Sequence, residues 1–197
     1  MKKGDGTLTL EHESQLDTQA VNIEGGTLAV RGDVDLRYSE AVDSDPQAAN
    51  YAPTTVTIGS GATFEMAYND GKTHRVDYNV SGTGNFVKRG NSTIVFDGLE
   101  KGYKYDWTGN STIKGGVVEV KSYSSQQTTG QHGVVVSAEG KNLQAVLKVT
   151  GNLATTNTQL VDEHSAAGSY SVLEISGVTY STKNLIRGTN TDAHAKV

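Results

Sequence analysis

One stretch of sequence is written twice in this chain, in a form that suits β-structure and not helix. Lys2-Lys3-Gly4-Asp5-Gly6-Thr7-Leu8-Thr9-Leu10 aligns with Lys88-Arg89-Gly90-Asn91-Ser92-Thr93-Ile94-Val95-Phe96. Val21-Asn22-Ile23-Glu24-Gly25-Gly26-Thr27-Leu28-Ala29-Val30 aligns with Ser111-Thr112-Ile113-Lys114-Gly115-Gly116-Val117-Val118-Glu119-Val120. Apolar residues alternate in both copies, as in Ile94 and Phe96 or Val118 and Val120, and glycine precedes each run. Period two with glycine punctuation means short strands joined by tight bends. Val56–Met66 is a partial echo between the copies. A self-similar unit of short strands cannot bury its apolar face alone, so the pattern predicts a stacked solenoid.

The rest of the chain fits that frame with two interruptions. Gly4–Leu10, Val21–Ile23, Thr27–Val30, Thr54–Met66, Thr73–Val80 and Gly133–Val149 read as strand segments, and 152–161 and 170–178 as less regular coils. Residues 37–53 contain both prolines and little periodicity, and 121–132 are of low complexity; both are expected to be loop insertions. Asn69-Asp70-Gly71 carries a two-residue turn signal that would also suit a hairpin. At roughly 20 residues per coil, seven to nine coils would make a rod of about 35–45 Å.

The wording Lys-x-Gly-x-Gly-Thr-Leu-Thr-Leu, followed by Val-x-Ile-x-Gly-Gly-Thr-Leu-x-Val, resembles the autotransporter-associated β-strand repeat. This repeat occurs in passenger domains of type V secreted proteins of Gram-negative bacteria. The copies at 2–30 and 81–120 carry the resemblance, and Trp107-Thr108-Gly109 stands where the family shows an aromatic, a hydroxyl residue and glycine. The resemblance implies an all-β, right-handed parallel β-helix, with 1–197 forming one segment of a longer passenger. It implies localisation at the bacterial surface or outside the cell, with the export signal and outer-membrane barrel outside this chain.

Composition narrows the chemistry. There is no cysteine, so disulfides and thiolate metal sites are impossible. The net charge of −5 comes without a basic stripe, which argues against nucleic acid as a partner. No run approaches the ~20 apolar residues of a membrane helix, so no membrane insertion by this segment is expected.

No catalytic, cofactor-binding or metal-binding residues are predicted, and no cofactor. The histidines His12, His74, His132, His164 and His194 are dispersed and lack ligand spacing, and no Gly-x-Ser-x-Gly elbow is present. Glu40, Asp43 and Asp45 make the first insertion acidic without a calcium-loop pattern. Asp33 and Asp35 share a face, Glu65 is a single acid on the echo strand, and Asp162-Glu163 stands alone, so no acidic ladder for glycan chemistry is evident. Tyr103, Tyr105 and Trp107 alternate; they could form a carbohydrate platform if exposed, but packing on a β surface is the stronger reading. The sequons at Asn79, Asn91 and Asn110 are expected from composition alone.

The expected function is a non-enzymatic surface stalk with an adhesive or self-associating role and support of passenger folding and export. Its partner would be a host surface protein or glycan, or another rod. Two alternatives stand beside it: the scaffold of a protease or esterase whose catalytic domain lies outside this chain, and a polysaccharide-processing β-helix.

Overall fold

A computed structural model describes residues 1–11, 16, 18–32, 34, 36, 53–97, 102–122, 133–140, 143–151, 153–161, 169–176 and 180–187. Their strands are β1 (Thr7–Glu11), β2 (Ala20–Ile23), β3 (Thr27–Arg31), β4 (Thr55–Ile58), β5 (Thr63–Ala67), β6 (Thr73–Arg75), β7 (Asn79–Gly82) and β8 (Asn85–Arg89). They continue with β9 (Thr93–Asp97), β10 (Ser111–Ile113), β11 (Gly116–Ser122), β12 (Gly133–Ser137), β13 (Gln144–Val149), β14 (Leu153–Val161), β15 (Tyr170–Ile175) and β16 (Tyr180–Arg187).

Every ladder between these strands is parallel. A long sheet runs β1-β3-β5-β8-β10-β12-β14-β16, a side sheet β6-β9-β11-β13-β15 and a short sheet β2-β4-β7. Where all three faces carry strands, the chain passes from short to long to side sheet and returns one level on. This is the parallel β-solenoid that the repeated strands predict. Coil length varies: Thr7 pairs with Thr27 after 20 residues, and Thr158 with Leu185 after 27.

Stacking converts the alternation along each strand into columns across the coils. On the long sheet one column starts at the exposed Leu8 and runs inward through Leu28, Phe64, Phe86, Ser111, Val134 and Thr158. The next runs Leu10, Val30, Met66, Lys88, Ile113, Val136 and Leu160. The side sheet answers with Ile94, Val118, Leu147 and Leu173, and with Phe96, Val120, Val149 and Ile175. Phe64, Phe86, Ile94 and Phe96 are buried to within 2% of full occlusion. Removing such side chains from water contributes about 2–3 kcal/mol each. This is how a chain with 35% hydrophobic residues builds a continuous core.

Both repeat copies build the same corner, but on different edges of the prism. In the first, Gly25-Gly26 turns the chain from β2 in the short sheet to β3 in the long sheet. In the second, Gly115-Gly116 turns it from β10 in the long sheet to β11 in the side sheet. The unit has therefore moved round the rod by one face. The echo at Val56–Met66 keeps the first position and stacks directly on it, with Ile58 over Ile23 and Thr63 over Thr27.

Several expectations change in detail. Asn69-Asp70-Gly71 is a corner between two sheets, not a hairpin, because β5 and β6 pair with different coils and not with each other. The single strand expected over Thr73–Val80 is two strands, β6 and β7, on different faces. Lys121 and Ser122 extend β11, so of the second insertion only 123–132 lie outside the described residues; 37–52 of the first do as well.

The glycine corners are sterically demanding. Gly26 and Gly116 have φ of 65° and 67°, in the left-handed region that side chains disfavour. A Cβ on Gly26 would lie 2.4 Å from the Gly4 and Gly6 carbonyl oxygens, and one on Gly116 2.3 Å from that of Ser92. Gly6 has a clear Cβ position and no such φ. Gly116→Ala is therefore expected to lower stability by about 3 kcal/mol or more, whereas Gly6→Ala changes it by less than about 0.5 kcal/mol. Chemical denaturation of the two variants measures the contrast.

Candidate functional site

The side chains with chemical potential fall into four groups, each positioned by coil stacking. The first is the lysine of the repeat. Lys2 Nζ donates to the carbonyls of Lys3, Gly4 and Gly25 at 2.9, 2.7 and 2.9 Å. Lys88 Nζ donates to the matching carbonyls of Arg89, Gly90 and Gly115 at 2.5, 3.1 and 3.2 Å. Each ammonium satisfies two oxygens of its own corner and one of the next coil. The Lys-x-Gly half of the motif thus clamps the Gly-Gly half, a relation invisible in strand periodicity. Lys2 lies at the partly open end, whereas Lys88 is fully buried.

The second group is a stripe of ion pairs along the long sheet. Arg31 lies 3.9 Å from Glu11 and 3.8 Å from Glu65. Arg89 lies 3.0 Å from Glu65, and Arg89 and Lys114 both grip Glu139. On the side sheet Arg75 pairs with Asp97 at 2.7 Å and Lys148 with Glu119 at 3.1 Å. Glu65 is therefore one step in an alternating series, with its carboxylate between two guanidiniums. Pairs this near the surface contribute little individually, up to about 1 kcal/mol each. Together they make a polar outer face that tolerates strand stacking without exposing apolar rows.

The third group joins Asp70, His74 and Ser92, which coil register brings together. Ser92 Oγ donates to Asp70 Oδ1 at 2.6 Å, the Lys72 amide donates to the same oxygen at 3.0 Å, and His74 Nε2 lies 3.1 Å from it. The His74 ring stacks on Tyr68 with centroids 4.0 Å apart. Serine, histidine and aspartate are present, but in the wrong order for nucleophilic catalysis. A triad needs histidine between the hydroxyl and the acid. Here aspartate is the hub, and Ser92 is fully buried. The Ser92 hydroxyl, helped by the Lys72 amide, holds the Asp70 carboxyl well below the usual carboxylate range. The arrangement is a corner brace. Its sequence signal was one coil of separation between Asp70 and Ser92, which cannot be recognised before the coil lengths are known.

The fourth group is aromatic. Tyr103, Tyr105 and Trp107 are all at most 6% exposed, so they form no surface platform. Trp107 lies 5.6 Å from both Phe86 and Phe96, and Tyr105 lies 5.0 Å from Phe96 at 77°. Their polar atoms are directed inside: Tyr105 Oη donates to the Val76 carbonyl at 2.7 Å and Trp107 Nε1 to Ser111 Oγ at 3.2 Å. Burial pushes the neighbouring Tyr78 hydroxyl well above its ordinary pKa.

Among the described residues no group of three or more His, Asp or Glu is placed to hold a metal ion. His12, His132, His164, His194, Asp33, Asp35, Glu40, Asp43, Asp45, Asp162 and Glu163 lie outside the described residues.

With this geometry in hand, the chain can be set beside known proteins. It is similar to an adhesin autotransporter, BmaC, of Brucella suis biovar 1 (strain 1330), at 27% identity over 222 aligned residues. The alignment takes in 97% of this chain and 6% of the relative, so the chain spans a small part of that protein's length. No family model matches the chain. No solved structure matches it.

The Asp70 brace has a pH signature. Because its folded pKa is depressed, its stabilisation is complete above the unfolded pKa and is lost as pH falls below about 4. Asp70→Asn is expected to cost about 1 kcal/mol at neutral pH, after allowance for partial exposure, and to flatten the loss of stability in acid. Denaturant unfolding near pH 7 and about pH 3 compares the two proteins.

Proposed function

We propose that this chain is a coil segment of an autotransporter passenger, serving at the bacterial surface as a non-enzymatic stalk with an adhesive or self-associating face. The observation that carries the reading is the similarity to an autotransporter adhesin along 97% of the chain, joined to a parallel solenoid fold. The geometry supports it. Among the described residues Phe64, Phe86, Phe96, Tyr103, Tyr105 and Trp107 belong to the core, the Ser92 hydroxyl is enclosed, and the outer faces present ion-pair stripes and polar rungs. On the short sheet Asn22, Thr57 and Ser81 stand in register, with Thr57 Oγ1 and Ser81 Oγ 3.4 Å apart. A rod of such rungs offers many weak hydrogen bonds to one extended partner, either a host surface protein or glycan, or a second rod.

The same architecture supports a part in export. Each coil satisfies its backbone on the preceding one, so a folded coil is a template for the next. Cell-surface display in the full-length passenger is expected to fall severalfold when Ser81–Val120 is deleted; undiminished display would contradict this role. For adhesion, beads coated with the purified chain are expected to bind host-cell monolayers or to clump with one another more than beads carrying an unrelated β-solenoid. Equal behaviour of the two bead types would remove the adhesive reading, and turnover of acidic glycans by the chain would replace it with an enzymatic one.

A further inference from the structure

Lys88 is a cation sealed inside an apolar column. It stands in register between Met66 and Ile113, is fully buried, and has three neutral carbonyls as its hydrogen-bond partners. The charged groups on the elements around it are engaged elsewhere. Glu65 on β5, Arg89 beside Lys88 and Lys114 after β10 belong to the outer stripe with Arg31 and Glu139. Arg75 on β6 and Lys121 on β11 reach Asp97 on β9, and Glu119 on β11 reaches Lys148. Asp70 supports the ammonium through space, but its carboxylate is held by Ser92, Lys72 and His74. The carbonyl bonds hold the two corners together, but a buried charge without a contacting counter-ion is costly, and a neutral amine keeps two N–H donors for the same oxygens. Burial accordingly pushes the Lys88 amine down to about 8.

The packing is also discontinuous at this level. A void of about 20 Å³ lies among Phe86, Phe96, Trp107, Ile113, Val118 and Val134, where aromatic coils give way to aliphatic ones. The ladder between β9 and β11 shifts register between Val120 and Ser122. Beyond β7 the short face continues, among the described residues, without a named strand, through the bridge from Val80 to Tyr105 and the bond from the Thr108 amide to the Gly82 carbonyl.

We propose that the seam between the Gly90 and Gly115 corners is a proton-linked joint in the rod, which opens more readily with Lys88 charged than with Lys88 neutral. Opening hydrates the amine and returns its proton affinity to that of an ordinary lysine, so the open seam keeps a proton that the closed seam releases. Rising pH between about 8 and 10.5 therefore favours the closed seam. The Asp70 carboxyl, held well below the usual carboxylate range, does not titrate in this window, and burial holds the Tyr78 hydroxyl well above its ordinary value. Near neutral pH the joint divides β1–β9 from β10–β16, so local opening there separates two stacks without dissolving either.

The test is hydrogen exchange at the Lys114 and Val117 amides, which bond to the Lys88 and Ser92 carbonyls across the seam. After correction for intrinsic exchange, the opening constant is expected to fall about 25-fold between about pH 7 and about pH 9.5, and to lose that dependence in Lys88→Met. No fall in the unmodified protein, or an equal fall in Lys88→Met, would overturn the proposal. Should Lys88→Met not fold, titration of the Lys88 side-chain nitrogen by NMR in the unmodified protein decides: a midpoint near 8 supports the joint, and an ordinary midpoint near 10.5 overturns it.

Discussion

The fold depends on bringing one coil's corner close enough to the next for backbone hydrogen bonds to continue around the bend. Strands alone stack easily, since each peptide group on a face meets its partner in the neighbouring coil. At a corner the ladder is interrupted and carbonyls turn inward, where an unsatisfied oxygen costs about 1–3 kcal/mol. The chain answers with two features used together. A left-handed glycine lets the upper corner sit on the lower one, and a lysine ammonium collects the converging oxygens. Lys2 with Gly25-Gly26 and Lys88 with Gly115-Gly116 are two instances of one solution.

Much of this was legible in the sequence. Alternation marked the inward residues of the repeat strands, and the Gly-Gly pairs marked the bends. What could not be seen was which edge of the prism each copy occupies. A strand carries the same period-two pattern on any of three faces, so the one-face displacement between the copies leaves no local trace. The Asp-Gly turn after Asn69 was ambiguous for a similar reason: its backbone freedom serves a corner as well as a hairpin, and pairing partners decide between them.

The polar groups were harder to foresee. Arg89 meets Glu65 and Glu139, separated from it by 24 and 50 residues, because coils of unequal length bring them to one stripe. The same irregularity hid the brace of Asp70, His74 and Ser92. The burial of the lysine at the head of the second copy has no signal in the sequence, since hydropathy alone does not place an ammonium in a core column between methionine and isoleucine. The aromatics after Gly102 were better signposted. Their alternation fits inward packing, and their polar atoms find partners inside.

The outer surface follows from the same geometry. Once every second residue is committed to the core, the others form ladders of like or opposite character at the ~4.8 Å strand spacing. Such a surface suits recognition distributed along a rod better than chemistry concentrated at a point. The most direct measurement of the stacking itself uses the absence of native cysteine. Oxidation of a Thr57→Cys, Ser81→Cys double variant should give a rapid intramolecular disulfide, because the two positions are parallel neighbours in register. A Thr57→Cys, Asp106→Cys variant, two coils apart, should remain reduced under the same conditions. Fast bridging of the second pair, or none in the first, would contradict the solenoid described above.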